Sequence, residues 1–386
     1  MPTLVYIHGR GQKGDIATER NMWYNALTTG VGCLGGEQKP AIPDDDHFQL
    51  AYWSDIFYPP KDDPSAPNPQ NPQGLSAAEQ AIVDRISQTY WQLQQQAAPP
   101  PLGDQAVGAP AAANATVHNI WTVAPGSADQ VRSAQYEDSF LRDVIKYIAL
   151  GYAEKVRVPL VKILTEEAIE DGHVMLVAHS FGTIISFDVL VRSLADINAN
   201  RQQGEDAAGN QAGAPKQPLV IDTWVTMGCP LGWALDLQHR LPAWAQQAIV
   251  GAADLGDVLA DAGHRALDFI TSLAGGMHPA APPAGLAITD LGLKEFPPQG
   301  VLRWANIYDP HDPVAYPPIV GTAGEITVSD SFLSNGKRRA FDVQILNDFD
   351  LNTQFNLLDL DAHNDQGYGE CAQLAQLVAD FWSRCS

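Results

Sequence analysis

The stretch Val174-Met175-Leu176-Val177-Ala178-His179-Ser180-Phe181-Gly182-Thr183-Ile184-Ile185 decides how the chain is read. Its first four residues are apolar and have the length of a short buried strand. A small polar knot follows, and an apolar run then opens a helix. Strand, sharp turn carrying a serine, and helix is the order of a nucleophile elbow. Such a turn strains its backbone to push the hydroxyl outward, and strained positions cluster at functional sites. The residues two before and two after the serine must be small, because strand and helix nearly collide there. Ala178 and Gly182 meet that requirement. An ordinary strand–helix turn fits the five-residue pattern equally well, so the rest of the chain has to decide.

Working outward, Thr3 to Ile7 reads as a buried strand that runs into His8-Gly9-Arg10-Gly11-Gln12. Glycines after a strand let backbone N–H groups turn outward, as an oxyanion hole requires; a plain tight turn is the alternative. Further strands are expected at Phe48–Trp53, Leu219–Thr226, Val301–Tyr308, Ile326–Val328 and Arg339–Leu346. Helices are expected at Glu19–Thr28 and at Ser76–Gln95, where Ser76 is the N-cap and Glu79 holds the capping-box position. Glu137–Asp171 also has helical periodicity, with bends expected near Gly151 and Pro159. Two more helices, Ile184–Leu194 and Gly369–Ser383, complete the set, and Asn198–Pro218 reads as a loop. This alternation implies an α/β fold: one domain over residues 1–386, with a mostly parallel central sheet flanked by helices.

Two insertions interrupt the scaffold. Residues 59–133 combine Pro-rich loops with a helix, and residues 233–299 carry apolar positions at three- to four-residue steps from Leu241 to Ile270, apart from a gap between Ala248 and Leu255. Each reads either as a cap over a site or as outer structure without a catalytic part.

Composition narrows the function classes. The chain has 386 residues, 45% of them hydrophobic, and no run of 18 apolar residues, so no membrane span is expected. A formal net charge of -22 argues against nucleic-acid binding and against attraction to anionic membranes. Cys33, Cys229, Cys371 and Cys385 are scattered without CxxC spacing and read as free thiols. The segment before His8 is too short for a secretory signal and lacks its basic flank, which points to the cytoplasm.

A serine hydroxyl becomes a nucleophile when a base removes its proton, and an acid in turn orients that base. In elbow-type enzymes the chain order is Ser, acid, His. Ser180, Asp312 in the loop after Val301–Tyr308, and His363 before the last helix follow that order. Asp312 lies far enough past its strand for the loop to swing toward a histidine; Asp309 is the alternative acid or a turn cap. His311 sits too close to both acids to be the base. His179 adjoins the serine with its side chain directed away, a packing role, and His8 is read as a brace for the glycine loop. Asp44-Asp45-Asp46-His47 is weighed as a metal site and read as a solvated acidic loop, so no metal or cofactor is expected.

With these residues in place, the chain resembles the α/β-hydrolase superfamily in its lipase- and esterase-like branch. The resemblance rests on His8-Gly9-Arg10-Gly11, Ala178-His179-Ser180-Phe181-Gly182, Asp312-Pro313-Val314 and His363. It implies an α/β-hydrolase fold and a Ser180–Asp312–His363 triad cleaving a small-molecule or lipid ester through an acyl-enzyme. It also implies an oxyanion hole from the N–H of Phe181 and that of Arg10 or Gly11. Two departures stand out: Ala178 replaces the usual glycine, and Thr3–Ile7 corresponds to the third strand of the family's sheet. Thioesterases, amidases and acyltransferases share this machinery. A reading from another class is a non-catalytic binding module on a hydrolase scaffold, with the helical insertion as its partner surface.

Overall fold

The computed structural model describes residues 2–11, 13–34, 45–58, 75–97, 138–147, 150–165, 169, 172–204, 214–231, 300–308, 312, 339–344 and 365–385. Its strands are β1 (Thr3–Ile7), β2 (Phe48–Ala51), β3 (His173–His179), β4 (Val220–Met227), β5 (Arg303–Tyr308) and β6 (Arg339–Gln344). They form one six-stranded sheet in the order β2-β1-β3-β4-β5-β6, with every pair parallel.

Both faces of this sheet are covered, which is why its central strands β1 and β3 read as apolar runs and not as alternating ones. Successive side chains still point to opposite faces. Val5, Ile7, Val174, Leu176 and Ala178 enter one core; Leu4, Tyr6, Met175 and Val177 enter the other. On the first face lie α3 (Ala77–Ala97), α4 (138–147), α5 (Tyr152–Thr165), α6 (Phe181–Arg192) and α7 (Leu194–Gln203). The second face carries α1 (Ile16–Cys33), α8 (Asp365–Glu370) and α9 (Ala372–Cys385). A short helix, α2 (Ser54–Phe57), follows β2.

Chain order sets the location of a site. From β1 the chain passes outward to β2 and then back across to β3, so β1 is flanked by strands reached in opposite directions. Open parallel sheets bind ligands in the crevice at the carboxyl ends of the strands where this reversal occurs. Here that crevice lies between the loop after β1 and the turn after β3, which carry His8–Gly11 and Ser180.

Several local expectations change. The helix foreseen over Glu137–Asp171 is interrupted at Gly151, whose φ of +72° is left-handed, but it runs through Pro159. The bond that Pro159 removes belongs to Lys155, which is exposed, so water can take the donor's place. The loop expected from Asn198 begins later, because α7 continues to Gln203 and closes on left-handed Gly204. Its buried positions are Leu194, Ile197 and Arg201, and an arginine on the inner face hides the periodicity. The Arg201 guanidinium is buried among the Gln217, Leu164 and Ile169 carbonyls and donates to all three. The last helix is two helices, α8 and α9. Ser76 and Glu79 form the expected capping box, with Ser76 N–H donating to Glu79 Oε2 at 2.8 Å and Glu79 N–H to Ser76 Oγ at 3.3 Å. The expected strand Ile326–Val328, the insertion 233–299 and most of the insertion 59–133 lie outside the described residues.

Gly182 holds the elbow against β1. A Cβ there would sit 2.6 Å from the His8 carbonyl oxygen and 2.7 Å from that of Ile7, both backbone atoms with no room to yield. Gly182→Ala is therefore expected to destabilise the protein by about 3 kcal/mol or more, at the upper end for overpacking. A urea midpoint within error of wild type would contradict this.

Candidate active site

Ser180 follows β3 and opens α6 with φ 50° and ψ -124°. It is the one non-glycine residue with positive φ among the described residues. Holding a side chain there costs on the order of 1–3 kcal/mol and persists only when the surroundings enforce it. The enforcement is visible. Ser180 N–H donates to the Met227 carbonyl at 2.8 Å, and its own carbonyl accepts from Thr183 N–H at 2.9 Å and Thr183 Oγ1 at 2.7 Å. Ala178, the small residue before the turn, pairs with Ile7 on β1 and Thr226 on β4 and is fully buried.

The loop after β1 lies against this serine. A Cβ on Gly9 would fall 2.9 Å from Ser180 Cβ and 2.8 Å from His179 Nδ1, so only glycine lets the backbone approach this closely. His8 is buried and braces the loop. Trp53 N–H donates to His8 Nε2 at 3.1 Å, and Trp53 Nε1–H donates to the His8 carbonyl at 2.9 Å. With Nε2 accepting, the proton belongs on Nδ1, which reaches the Gly9 carbonyl at 2.7 Å. The two rings stack at 4.9 Å and 6°. Ser54 holds the far end: Lys13 N–H donates to Ser54 Oγ at 3.0 Å, and that hydroxyl donates to the Gly11 carbonyl at 3.3 Å. Gly11 has φ +102°.

Arg10, in the middle of the loop, is tied to α4. Its Nε donates to Asp143 Oδ2 at 2.8 Å, a second guanidinium nitrogen donates to Ser139 Oγ, and the group lies 5.8 Å above the Phe140 ring. Tyr58 donates to the same Asp143 oxygen at 2.6 Å. Burial, with the Asp143 charge adding to it, pushes the Tyr58 phenol well above its usual range, so it stays protonated as a donor.

Phe181, whose N–H is expected in the oxyanion hole, stands in the first turn of α6, where N–H groups have no helical acceptor and the helix dipole favours negative charge. Its side chain is fully buried between Trp53 (5.4 Å), Phe57 (5.7 Å), Phe140 (6.0 Å) and Tyr147 (5.6 Å), which immobilises that first turn.

On the opposite side, His179 is buried between Trp23 and Tyr368, at 5.9 and 5.6 Å between ring centroids. Asp312 is buried just past β5 and accepts a hydrogen bond from Tyr368 Oη at 2.8 Å. The structure thus joins Ser180, the His8–Gly11 loop and Phe181 directly, and anchors Asp312 on α8. His363 and Asp309, with His311, lie outside the described residues. Sequence reasoning missed Trp53, Tyr58, Asp143 and Tyr368. Tyr368 lies five residues after His363 and carries no motif of its own, and the others act through partners 45 to 133 residues away, which no local pattern signals.

Among the described residues, no group of three His, Cys, Asp or Glu could hold a metal ion, and no helix is long and apolar enough to cross a membrane. Residues Asp45–His47 form a single 3₁₀ turn, with His47 edge-on to Trp382.

One further titratable group stands on α4, three residues after Asp143. Lys146 on α4 is buried, donates to the Phe57 carbonyl, and has the Phe57 and Tyr152 rings 4.4 and 4.3 Å from its ammonium. Burial pushes its pKa down to about 8, with the Asp143 charge opposing. The folded state then holds fewer protons than the unfolded state between about pH 8 and 10.5, so this residue's contribution to stability rises with pH across that window. Relative to Lys146→Met, wild type should gain up to about 3 kcal/mol there. Urea unfolding at both ends tests it, and a pH-independent difference would refute it.

Comparison of the chain with protein-family models, with curated proteins and with solved structures finds no match in any of the three.

Proposed function

We propose that the protein is a serine hydrolase of the α/β-hydrolase type that cleaves carboxylic esters through an acyl-enzyme. The observation that carries this reading is the strained Ser180 at the sheet's switch point, pressed against Gly9 of a loop built to present backbone donors. The strand order supports it as well: β2-β1-β3-β4-β5-β6 is what remains of the resembled family's sheet once its first two strands are left out.

Ser180 attacks the ester carbonyl while His363 takes its proton, and the N–H groups of Phe181 and of Arg10 or Gly11 hold the oxyanion. His363 then gives the proton to the leaving alcohol. Water, deprotonated by the same histidine, releases the acid. Asp312 holds the imidazole tautomer and balances its charge.

Fluorophosphonate labelling tests the reading. Wild type should label at Ser180 and Ser180→Ala should not; equal labelling of the two, or none of wild type, sinks it. A series of p-nitrophenyl esters of rising chain length, run beside thioester and amide analogues, separates esterase from thioesterase and amidase.

A further inference from the structure

We propose that Asp143 is a positioning residue for the oxyanion loop, acting through the Arg10 side chain; this rests on the serine-hydrolase reading above. Both ends of the loop are held by backbone and ring contacts, His8 by Trp53 and Lys13 by Ser54. Between them stand Arg10 and Gly11, and the left-handed Gly11 brings no stiffness of its own. The Arg10 guanidinium reaches one face of α4, where Ser139, Phe140 and Asp143 receive it.

The Asp143 carboxylate is fully buried, a placement that is stable only when its charge is matched by donors. Two of its donors are Arg10 Nε at 2.8 Å and Tyr58 Oη at 2.6 Å, both on the same oxygen. Charge-assisted bonds of this kind are short and directional, so they set the path of the Arg10 backbone as well as its side chain. Tyr58 and α4 border residues 59–137 on either side in sequence, so the network also ties both ends of that segment to the loop. A hole donor has to point at the oxyanion before it forms, and a side chain fixed from a neighbouring helix does that without mobile water.

The test measures Asp143→Ala, Asp143→Asn, Tyr58→Phe, Arg10→Met and the Asp143→Asn/Arg10→Met double variant in the full chain. Readouts are kcat and KM on a p-nitrophenyl ester and hydrogen exchange of amides 9–11. If Asp143→Ala does not fold, the isosteric Asp143→Asn and Tyr58→Phe carry the experiment. Expected are a kcat roughly 10- to 100-fold lower for Asp143→Asn, since a displacement near 1 Å costs about 100-fold, with KM nearly unchanged and amides 9–11 exchanging faster. Tyr58→Phe shifts both in the same direction by less. The double variant should be no worse than Arg10→Met, because both changes break one unit.

Wild-type kcat and exchange in Asp143→Asn, or additive losses in the double variant, would overturn the proposal. Fluorophosphonate labelling separates the two readings. Faster exchange at 9–11 in a protein whose Ser180 takes no probe leaves the brace standing and removes the hydrolase; unchanged exchange in a protein that labels does the reverse.

Discussion

Ser180→Ala should lower kcat by about six orders of magnitude on any ester the protein turns over, the loss typical when a triad nucleophile is removed. Its fold should be unaffected, because the backbone bonds to Met227 and Thr183 do not involve the hydroxyl itself. Ser180→Gly sharpens the test. Residue 180 sits at φ 50°, ψ -124°, a conformation that glycine adopts freely and other residues only under strain. Ser180→Gly should therefore be inactive and yet more stable than wild type by about 1–2 kcal/mol, the strain relieved. That is a direct measure of stability given up for a side chain in one place. A urea midpoint equal to or below that of Ser180→Ala would mean the turn is not strained as the dihedrals indicate.

Asp312→Asn should cost about four orders of magnitude in kcat, as when the acid of a serine triad can no longer hold its histidine in the productive tautomer. Asp309→Asn should leave kcat nearly unchanged. Asp312 is buried and held by Tyr368 at 2.8 Å, so its carboxylate is fixed in direction by α8, the helix that directly follows the His363 segment. Tyr368→Phe loosens that aim without removing the charge and should give a much smaller loss. The opposite pattern, with Asp309→Asn severe and Asp312→Asn mild, would transfer the acid's role to Asp309 and reduce the Tyr368 bond to packing. Both asparagine variants keep the side-chain volume, so a change in kcat at constant unfolding midpoint separates chemistry from folding.

Much of this architecture was legible because parallel strands covered on both faces leave mostly apolar runs, although buried Thr226 and Asn306 interrupt two of them. Thr3–Ile7, Val174–Val177, the strand before Met227 and the Trp304 strand all appear in the sheet, with ends moved by a residue or two. The capping box at Ser76 and Glu79 was legible because both partners are three residues apart. What escaped was the reverse case, where a buried polar side chain stands on an apolar face. Arg201 keeps α7 packed by giving its guanidinium to three carbonyls from distant segments, so the helix looked like a loop. Asp143 sits one residue before Val144 on α4 and reads as a solvated acid until Arg10 and Tyr58 close on it.

The sequence by itself determined the strand–turn–helix around Ser180, the small residues flanking it, and the glycine loop after β1. These are local: a turn's dihedrals and a helix's start depend on residues within a few positions of each other. Only the tertiary structure decided that the loop and the serine meet, that Gly9 and Gly182 are glycines because backbone or side chain fills the space a Cβ would need, and that Arg10 is held by Asp143. Those facts depend on which strands become neighbours. With β1 beside β3, two loops 170 residues apart in sequence face each other across one crevice. No local pattern encodes that adjacency, because it arises from burying both sheet faces at once and not from any one segment's preference.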